Sequence, residues 1–263
     1  MAFGRELAEG NTNLKGKIFY RLFGVNHMGA RIRKFYLTKA VEKVENRNAI
    51  FDAGCGSGCY SFYFSHKFPT SHIVCVDMDG EKIANCQKIQ NKLKRNNLEF
   101  IQGDLKKFTP QGQFNLIYSV DVLEHIDDDE KVLQNFNRAL RPEGILLLHL
   151  PRKQQLHKLH FKRFKNRIND GHVRTGYLKE EVITKLSRAG FVIKEFKNTC
   201  GKFAALSTEL QLLINETGWM RSVLRVLSFP FLITLAYLDT LLTLNDNKDH
   251  QGFLIKAVKI ETK

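Results

Sequence analysis

The chain lacks the features that mark a secreted, disulfide-bonded or membrane-spanning protein. Its cysteines, Cys55, Cys59, Cys75, Cys86 and Cys200, include no C-x-x-C pair. Several sit among apolar residues or glycines, so buried or loop thiols are expected, and neither a disulfide scaffold nor a zinc site. Cys55 and Cys59 stand close together, but the further ligands a metal needs are missing. Residues 1–20 hold no signal-peptide hydrophobic core. The uncharged apolar stretch from Val226 to Leu238 is shorter than the roughly 20 residues a spanning helix requires. We therefore expect a reduced, cytoplasmic protein. Acid is scarce as well: 27 Asp and Glu face 41 Lys and Arg, a formal charge of +14. That surplus suits nucleic acid, an acidic membrane surface or a phosphate- or carboxylate-bearing substrate, and it equally suits plain solubility. Internal repeats, low-complexity linkers and a second sheet are also missing.

What is present is enough for one α/β domain with insertions, from 263 residues of which 43% are hydrophobic. Ile32, Phe35, Tyr36, Ala40 and Val44 recur near helical spacing, behind an aromatic stretch Phe19–Gly24, and residues 1–45 read as a helical cap. From Ile50 onward strands and helices alternate. Strands are expected at 50–52, 73–77, 98–101, 114–118 and 144–150, with helices at 80–92 and from about Asp128 to Leu140. Continuous rather than alternating apolar runs mark strands covered on both faces, as in a parallel sheet. In the 128–140 helix, Asp127 to Glu130 complement the positive end, Arg138 and Arg141 the other, Val132, Phe136 and Leu140 form the buried stripe, and Pro142 is the expected stop. A further helix is expected over Leu178–Ala189, closed by Gly190, and last strands over 191–196 and 252–258. The fold class is an α/β, doubly wound, mostly parallel seven-stranded sheet with a helical insertion, residues 200–248, before the last strand. Residues 1–263 are expected to be a single domain.

The first strand ends in Asp52, and glycines follow at every second position, Gly54, Gly56 and Gly58. Glycines there let a backbone loop lie flat against a small charged ligand, where a Cβ would block its approach. A dinucleotide site wants G-x-G-x-x-G, but the third position falls on Cys59, and there is no phosphate-binding G-x-x-x-x-G-K-[ST] loop. The acid followed by G-x-G-x-G resembles the first motif of class I S-adenosylmethionine (SAM)-dependent methyltransferases. Asp77 closes the second strand about 20 residues on, where such sites keep the acid that accepts ribose hydroxyls. An N-cap role is the alternative.

Further motifs extend the resemblance over residues 48 to about 197 and the final strand. Gly103-Asp104-Leu105 resembles the family's Gly-Asp pair, which implies that Asp104 reaches the adenine amino group and Leu105 offers backbone; a turn-forming aspartate is the alternative. Ser119-Val120-Asp121-Val122-Leu123-Glu124-His125-Ile126 is similar to the "vLEHi" motif of the small-molecule members. Leu140-Arg141-Pro142-Glu143-Gly144 resembles their "LkPGG" turn, with Glu143 where glycine is usual. His172-Val173-Arg174-Thr175-Gly176-Tyr177 followed by Leu186 to Phe191 is similar to a later family segment. The resemblance implies SAM as cofactor, held by Asp52, Gly54, Gly56, Gly58, Asp77, Met78, Asp104, Leu105, Ser119 and Val120.

Methyl transfer to oxygen needs a proton removed, and the candidate bases are His125, His149, His157, His160 and His172. His125 and His172 are the expected catalytic pair, with Arg174 and Tyr177 orienting the substrate. His157 and His160 have a metal-like spacing, but no acid lies near them on the same element, so no metal is expected. Between Pro151 and His172 run Arg152, Lys153, Lys158, Lys162, Arg163, Lys165 and Arg167, interleaved with Phe161 and Phe164. They would draw an anionic head group, or form a solvated basic loop. In the insertion, Phe203, Leu206, Leu210 and Leu213 make one stripe, and Val223–Leu244 is apolar nearly all round, broken by Pro230. It reads as a lid over an apolar substrate, a hairpin at a bilayer interface, or plain packing. The expected activity is methyl transfer to a small or lipid-like, anionic acceptor at oxygen, with an anionic membrane surface as a candidate partner. An RNA methyltransferase, permitted by the charge but lacking a base-pocket motif after the fourth strand, and a SAM-binding protein without turnover are the alternatives.

Overall fold

The structure is a computed structural model, and it describes residues 3–11, 13–108, 110, 112–153, 171–217, 221–242 and 250–260. The basic run from Lys158 to Arg167, with His157, His160, Phe161 and Phe164, lies outside the described residues, as does the end of the insertion at 243–248. Two helices open the chain, α1 (Leu14–Phe23) and α2 (Met28–Glu42). They are followed by β1 (Ala49–Ala53), α3 (Cys59–Lys67), β2 (His72–Asp77), α4 (Gly80–Leu93), β3 (Leu98–Gln102), β4 (Phe114–Val120), α5 (Asp129–Ala139) and β5 (Leu140–Pro151). Then come α6 (Lys179–Arg188), β6 (Phe191–Thr199), α7 (Lys202–Asn215), α8 (Arg221–Leu241) and β7 (Gly252–Lys259).

The sheet runs β3-β2-β1-β4-β5-β7-β6. Only β7 is antiparallel to its neighbours, so the expected mostly parallel seven-stranded sheet is what forms. The central strands are apolar and buried on both faces because helices cover both sides. Below one face, Phe51, Phe114 and Phe136 meet Leu133, Leu186 and Ile255; on the other, Ile50, Ile73 and Tyr118 meet Phe62, Phe64, Ile83 and Ile32.

Capping sets the helix ends. The Asp79 side chain accepts from the amides of Glu81 and Lys82 at the start of α4, and Asp128 accepts from that of Lys131 at the start of α5. Gly190, at φ +81°, closes α6 as expected. Pro142 does not serve as a stop. The helix ends at Ala139, Leu140 already pairs with Phe114, and the register slips before Ile145 meets Leu116. Pro142 sits in that irregularity, where a missing ladder donor costs nothing. Glu143 adopts φ +58°, which explains why glycine is the usual residue of this turn.

The insertion stacks on the cap. The Met28 amide donates to the Gln211 side chain at 3.0 Å, the Tyr237 hydroxyl to the Arg31 carbonyl at 3.3 Å, and the Ser207 hydroxyl to the Leu232 carbonyl at 2.7 Å. The stripe Phe203, Leu206, Leu210 and Leu213 is only partly buried. The face of α7 that is buried carries Ala204, Ala205, Ser207, Glu209 and Gln211 instead. Small residues let the helices approach closely, and the polar ones find partners across the gap. In α8 the inner face is Phe229, Leu232 and Ala236, while Val223, Leu227, Phe231 and Leu241 remain exposed. The uncharged stretch 226–238 understates this helix, for Val223–Leu241 is long and apolar enough to cross a membrane by length and composition alone.

Candidate functional site

The strand order reverses between β1 and β4, and ligands of open α/β sheets bind outside the carboxyl ends of the strands at such a point. A cavity of about 620 Å³ lies there. Gly54, Gly56, Asp77, Met78, Asp104 and Leu105 line one side; Val120, Asp121, Val122 and His125 line the other. His27, Ala30 and Arg33, at and beyond the start of α2, complete it from the cap.

The glycines act differently. Gly54 has φ +82°, and a Cβ there would fall 2.4 Å from the Val122 side chain, so this glycine lets β1 and β4 close together. A Cβ on Gly56 would meet nothing within 4 Å, because that residue faces the open cavity. Gly58 does not line it; at φ +73° it starts α3, against Cys86 and Phe62. Ser119 is likewise withdrawn, fully buried with its hydroxyl donating to the Ala53 carbonyl at 2.9 Å. Both were expected to touch cofactor; neither lines the cavity, and both hold the loop and strand that do line it.

The structure removes the N-cap reading of Asp77. The N-cap of α4 is Asp79, and Asp77 receives the Gly56 amide at 2.7 Å and the Asp79 amide at 3.0 Å while facing the cavity. Each carboxylate oxygen keeps lone pairs for a ligand. Asp104 accepts the Lys106 amide at 2.9 Å in a local turn and also lines the cavity. Asp52 is buried beneath the loop, and Ser61 and Tyr118 donate to the same oxygen at 2.5 and 2.8 Å. Burial outweighs these bonds and pushes its carboxyl up to about 7.

Asp121 was not singled out from the sequence. It takes φ +52°. Arg33 approaches one of its oxygens at 3.0 Å and His149 Nδ1 the other at 2.5 Å, while His149 Nε2 meets the Thr199 hydroxyl at 2.8 Å. Burial alone would raise this carboxyl, but the Arg33 and His149 charges overwhelm it and hold it well below the usual range. His149 is therefore a buried link in this chain rather than a base open to the cavity. The signal for Arg33 was weak, because one arginine on a cap helix has nothing to mark its partner.

The structure brings His125 and His172 together, with ring centroids 4.4 Å apart. His125 lines the cavity, and its Nδ1 contacts the Gly171 carbonyl at 2.9 Å. A carbonyl can only accept, so Nδ1 is the donor in that contact and Nε2 points away from it. Arg174 and Tyr177 do not join them. Arg174 donates to Asp129 at 2.5 Å and to the Ile126 and Asp127 carbonyls, and Tyr177, almost fully buried, donates to Asp129 at 2.8 Å. The expectation that they orient substrate is corrected: a buried carboxylate has claimed both, and neither lines the cavity.

Residues 45–190 match the family model described as "Methyltransferase domain". Malonyl-[acyl-carrier protein] O-methyltransferase 2 of Ilyobacter polytropus is 31% identical over 108 residues, 41% of this chain and 40% of that protein. Trans-aconitate 2-methyltransferase of an Azoarcus species is 26% identical over 109 residues, 41% of each. The match thus spans about two fifths of these relatives' length. Among solved structures, phosphoethanolamine N-methyltransferase 2 of Haemonchus contortus, bound to phosphomonomethylethanolamine and S-adenosylhomocysteine, superposes with a TM-score of 0.66 at 19% identity, covering 99% of this chain and 61% of that one. At that identity the likeness establishes the fold alone.

Proposed function

We propose that this chain, a member of the methyltransferase-domain family, is a small-molecule methyltransferase that uses S-adenosylmethionine to methylate an anionic, lipid-like acceptor at oxygen. The observation that supports this reading most is the two-sided cavity, with the glycine loop and carboxylates on one side and His125 on the other. When bound, the cofactor supplies a methyl group made electrophilic by its sulfonium. Asp77 would accept the ribose hydroxyls, Asp104 and Leu105 would meet the adenine, and Gly56 keeps the loop low enough for close approach. Transfer to an acceptor held in line is mainly a matter of positioning and water exclusion. The acceptor's proton is lost at the His125 and His172 edge. Calorimetry with SAM, followed by labelled methyl transfer into pools of carboxylates, phenols, lipids and RNA, tests the reading. Product from RNA alone, or saturable binding without any product, would refute it.

One observation supports a lipid-like acceptor presented at an anionic membrane surface. Leu14, Ile18 and Leu22 of α1 are 70%, 50% and 65% exposed, and Val223, Leu227 and Phe231 of α8 are 59%, 71% and 62% exposed. Both sets are spaced four apart, and the helices meet through Phe19 and Phe23 against Phe229, at 6.3 and 5.0 Å. Lys15 beside this face and the overall charge of +14 suit acidic lipid. Co-sedimentation with anionic vesicles at low salt, lost in Leu227→Glu/Phe231→Glu, is the expected result; no sedimentation would refute the contact.

A further inference from the structure

Beside the cavity, on the acceptor side, Glu124, His125 and His172 converge so that one ligand atom from each lies within 4.8 Å of the others. Two of these side chains carry unexplained polar atoms. Glu124 is 1% exposed, and its Oε2 is buried with no hydrogen-bond partner; His172 Nδ1 is likewise buried and unpartnered. A polar atom buried without a partner costs about 1–3 kcal/mol. Two such residues in one cluster therefore ask for a shared occupant. The backbone is built to hold them: the Val173 and Arg174 amides both donate to the Glu124 carbonyl, at 2.9 and 3.3 Å. This fastens the loop of His172 onto the turn of Glu124 and His125. The His125 Nδ1 contact with the Gly171 carbonyl is the outer bond that metal-ligating histidines usually make, and it aims Nε2 outward as the ligand.

We propose that Glu124, His125 and His172 form a site for one divalent cation, which collects the acceptor's hydroxyl at the edge of the SAM cavity. Two imidazoles and one carboxylate suit zinc, manganese, iron or cobalt better than calcium. Bonds of about 2.0–2.2 Å place neighbouring ligand atoms some 3–4 Å apart, so side-chain adjustment closes the cluster without moving backbone. Three protein ligands leave positions open, as in catalytic rather than structural sites. His125 is exposed and lines the cavity, so an open position faces the ligand space. A hydroxyl on such a cation sheds its proton near neutrality. The proton passes to bulk water; the oxygen–carbon bond forms as the carbon–sulfur bond breaks, and sulfur keeps the electron pair. This assignment rests on the methyl-transfer reading above. It departs from the sequence expectation of no metal, which weighed the pairs Cys55 with Cys59 and His157 with His160 and not this cluster.

The test uses the untagged full chain, stripped with chelator and titrated with Co²⁺ alone, then with SAM present. We expect one Co²⁺ per chain, with visible absorption bands displaced by Zn²⁺. Glu124→Gln and His172→Asn should each weaken binding tenfold or more, while SAM affinity stays within twofold. Turnover should vanish on stripping and return with metal. No saturable Co²⁺ binding, binding that survives both variants together, or full turnover of stripped enzyme would each overturn the cation site. Loss of SAM binding by the unaltered chain would instead overturn the methyltransferase reading, whatever the cobalt result.

Discussion

Asp129→Asn should destabilise the fold by about 2–4 kcal/mol while leaving SAM affinity nearly unchanged. Asp129 is 2% exposed and receives three donors: Arg174 at 2.5 Å and Tyr177 at 2.8 Å on one oxygen, Lys185 at 2.7 Å on the other. An asparagine keeps one carbonyl for Arg174 and Tyr177 but turns an amide toward the Lys185 ammonium, donor against donor. Removing one partner of a buried ion pair commonly costs about 3–5 kcal/mol. The lower range is taken because the Arg174 and Lys185 side chains remain 22% and 16% exposed and can recover some water. Against a total stability of about 5–15 kcal/mol the loss is large. Urea unfolding should show a lower midpoint at unchanged slope. Calorimetry should find SAM affinity within twofold, since Asp129 does not line the cavity. A loss below about 0.5 kcal/mol, the level of an exposed ion pair, would refute the account of a buried charge cluster.

Asp77→Ala should weaken SAM binding on the order of a hundredfold, because two charge-assisted hydrogen bonds at about 1.5 kcal/mol each are lost; calorimetry showing under threefold would exclude the ribose role. Glu143→Gly should stabilise the fold by roughly 0.5 kcal/mol, the relief of a left-handed side chain less the added entropy of the unfolded chain, read by thermal unfolding. Asp52 gives a pH dependence. Its folded-state carboxyl is raised to about 7 from an ordinary 3.8, so the native state keeps a proton that the unfolded chain has already released. Stability of the ligand-free protein therefore falls as pH rises between these values, by up to about 1.4 kcal/mol per unit, and then levels off. Asp52→Asn, whose carbonyl can take both the Ser61 and Tyr118 donors, should remove that slope; parallel pH profiles for the two proteins would contradict the assignment.

The sheet was legible because its evidence is local. Runs such as Ile73–Asp77 and Leu146–Leu150 admit few readings other than buried strands, and Gly190 and Asp128 mark helix ends by their own chemistry. The glycine loop was legible for the same reason, although its three members proved unequal: Gly56 faces the cavity, Gly54 accommodates Val122, and Gly58 starts a helix. The insertion was read less well. Its leucine stripe is only partly buried, whereas polar Ser207 and Gln211 are buried because Leu232 and Met28 supply partners that no periodicity reveals.

The histidine side of the cavity was the least legible part, for a reason that bears on the chemistry. A histidine's role depends on what reaches it from elsewhere in the chain, and here the same residue type has three fates. His149 is bound between Asp121 and Thr199, His27 caps α2 by accepting the Ala30 amide, and His125 meets His172. Arg174 and Tyr177 were expected to face substrate, but the charge that claims them, Asp129, had served in the sequence only to complement a helix end. By anchoring Arg174, that buried carboxylate fixes the loop in which His172 lies two positions earlier. The expected substrate residues thus act one step back, holding a catalytic candidate in place. Arg174→Lys, which loses the carbonyl contacts but keeps the charge, should therefore weaken Co²⁺ binding at His172 more than it weakens SAM binding, and equal losses in both titrations would show that the loop does not depend on this anchor.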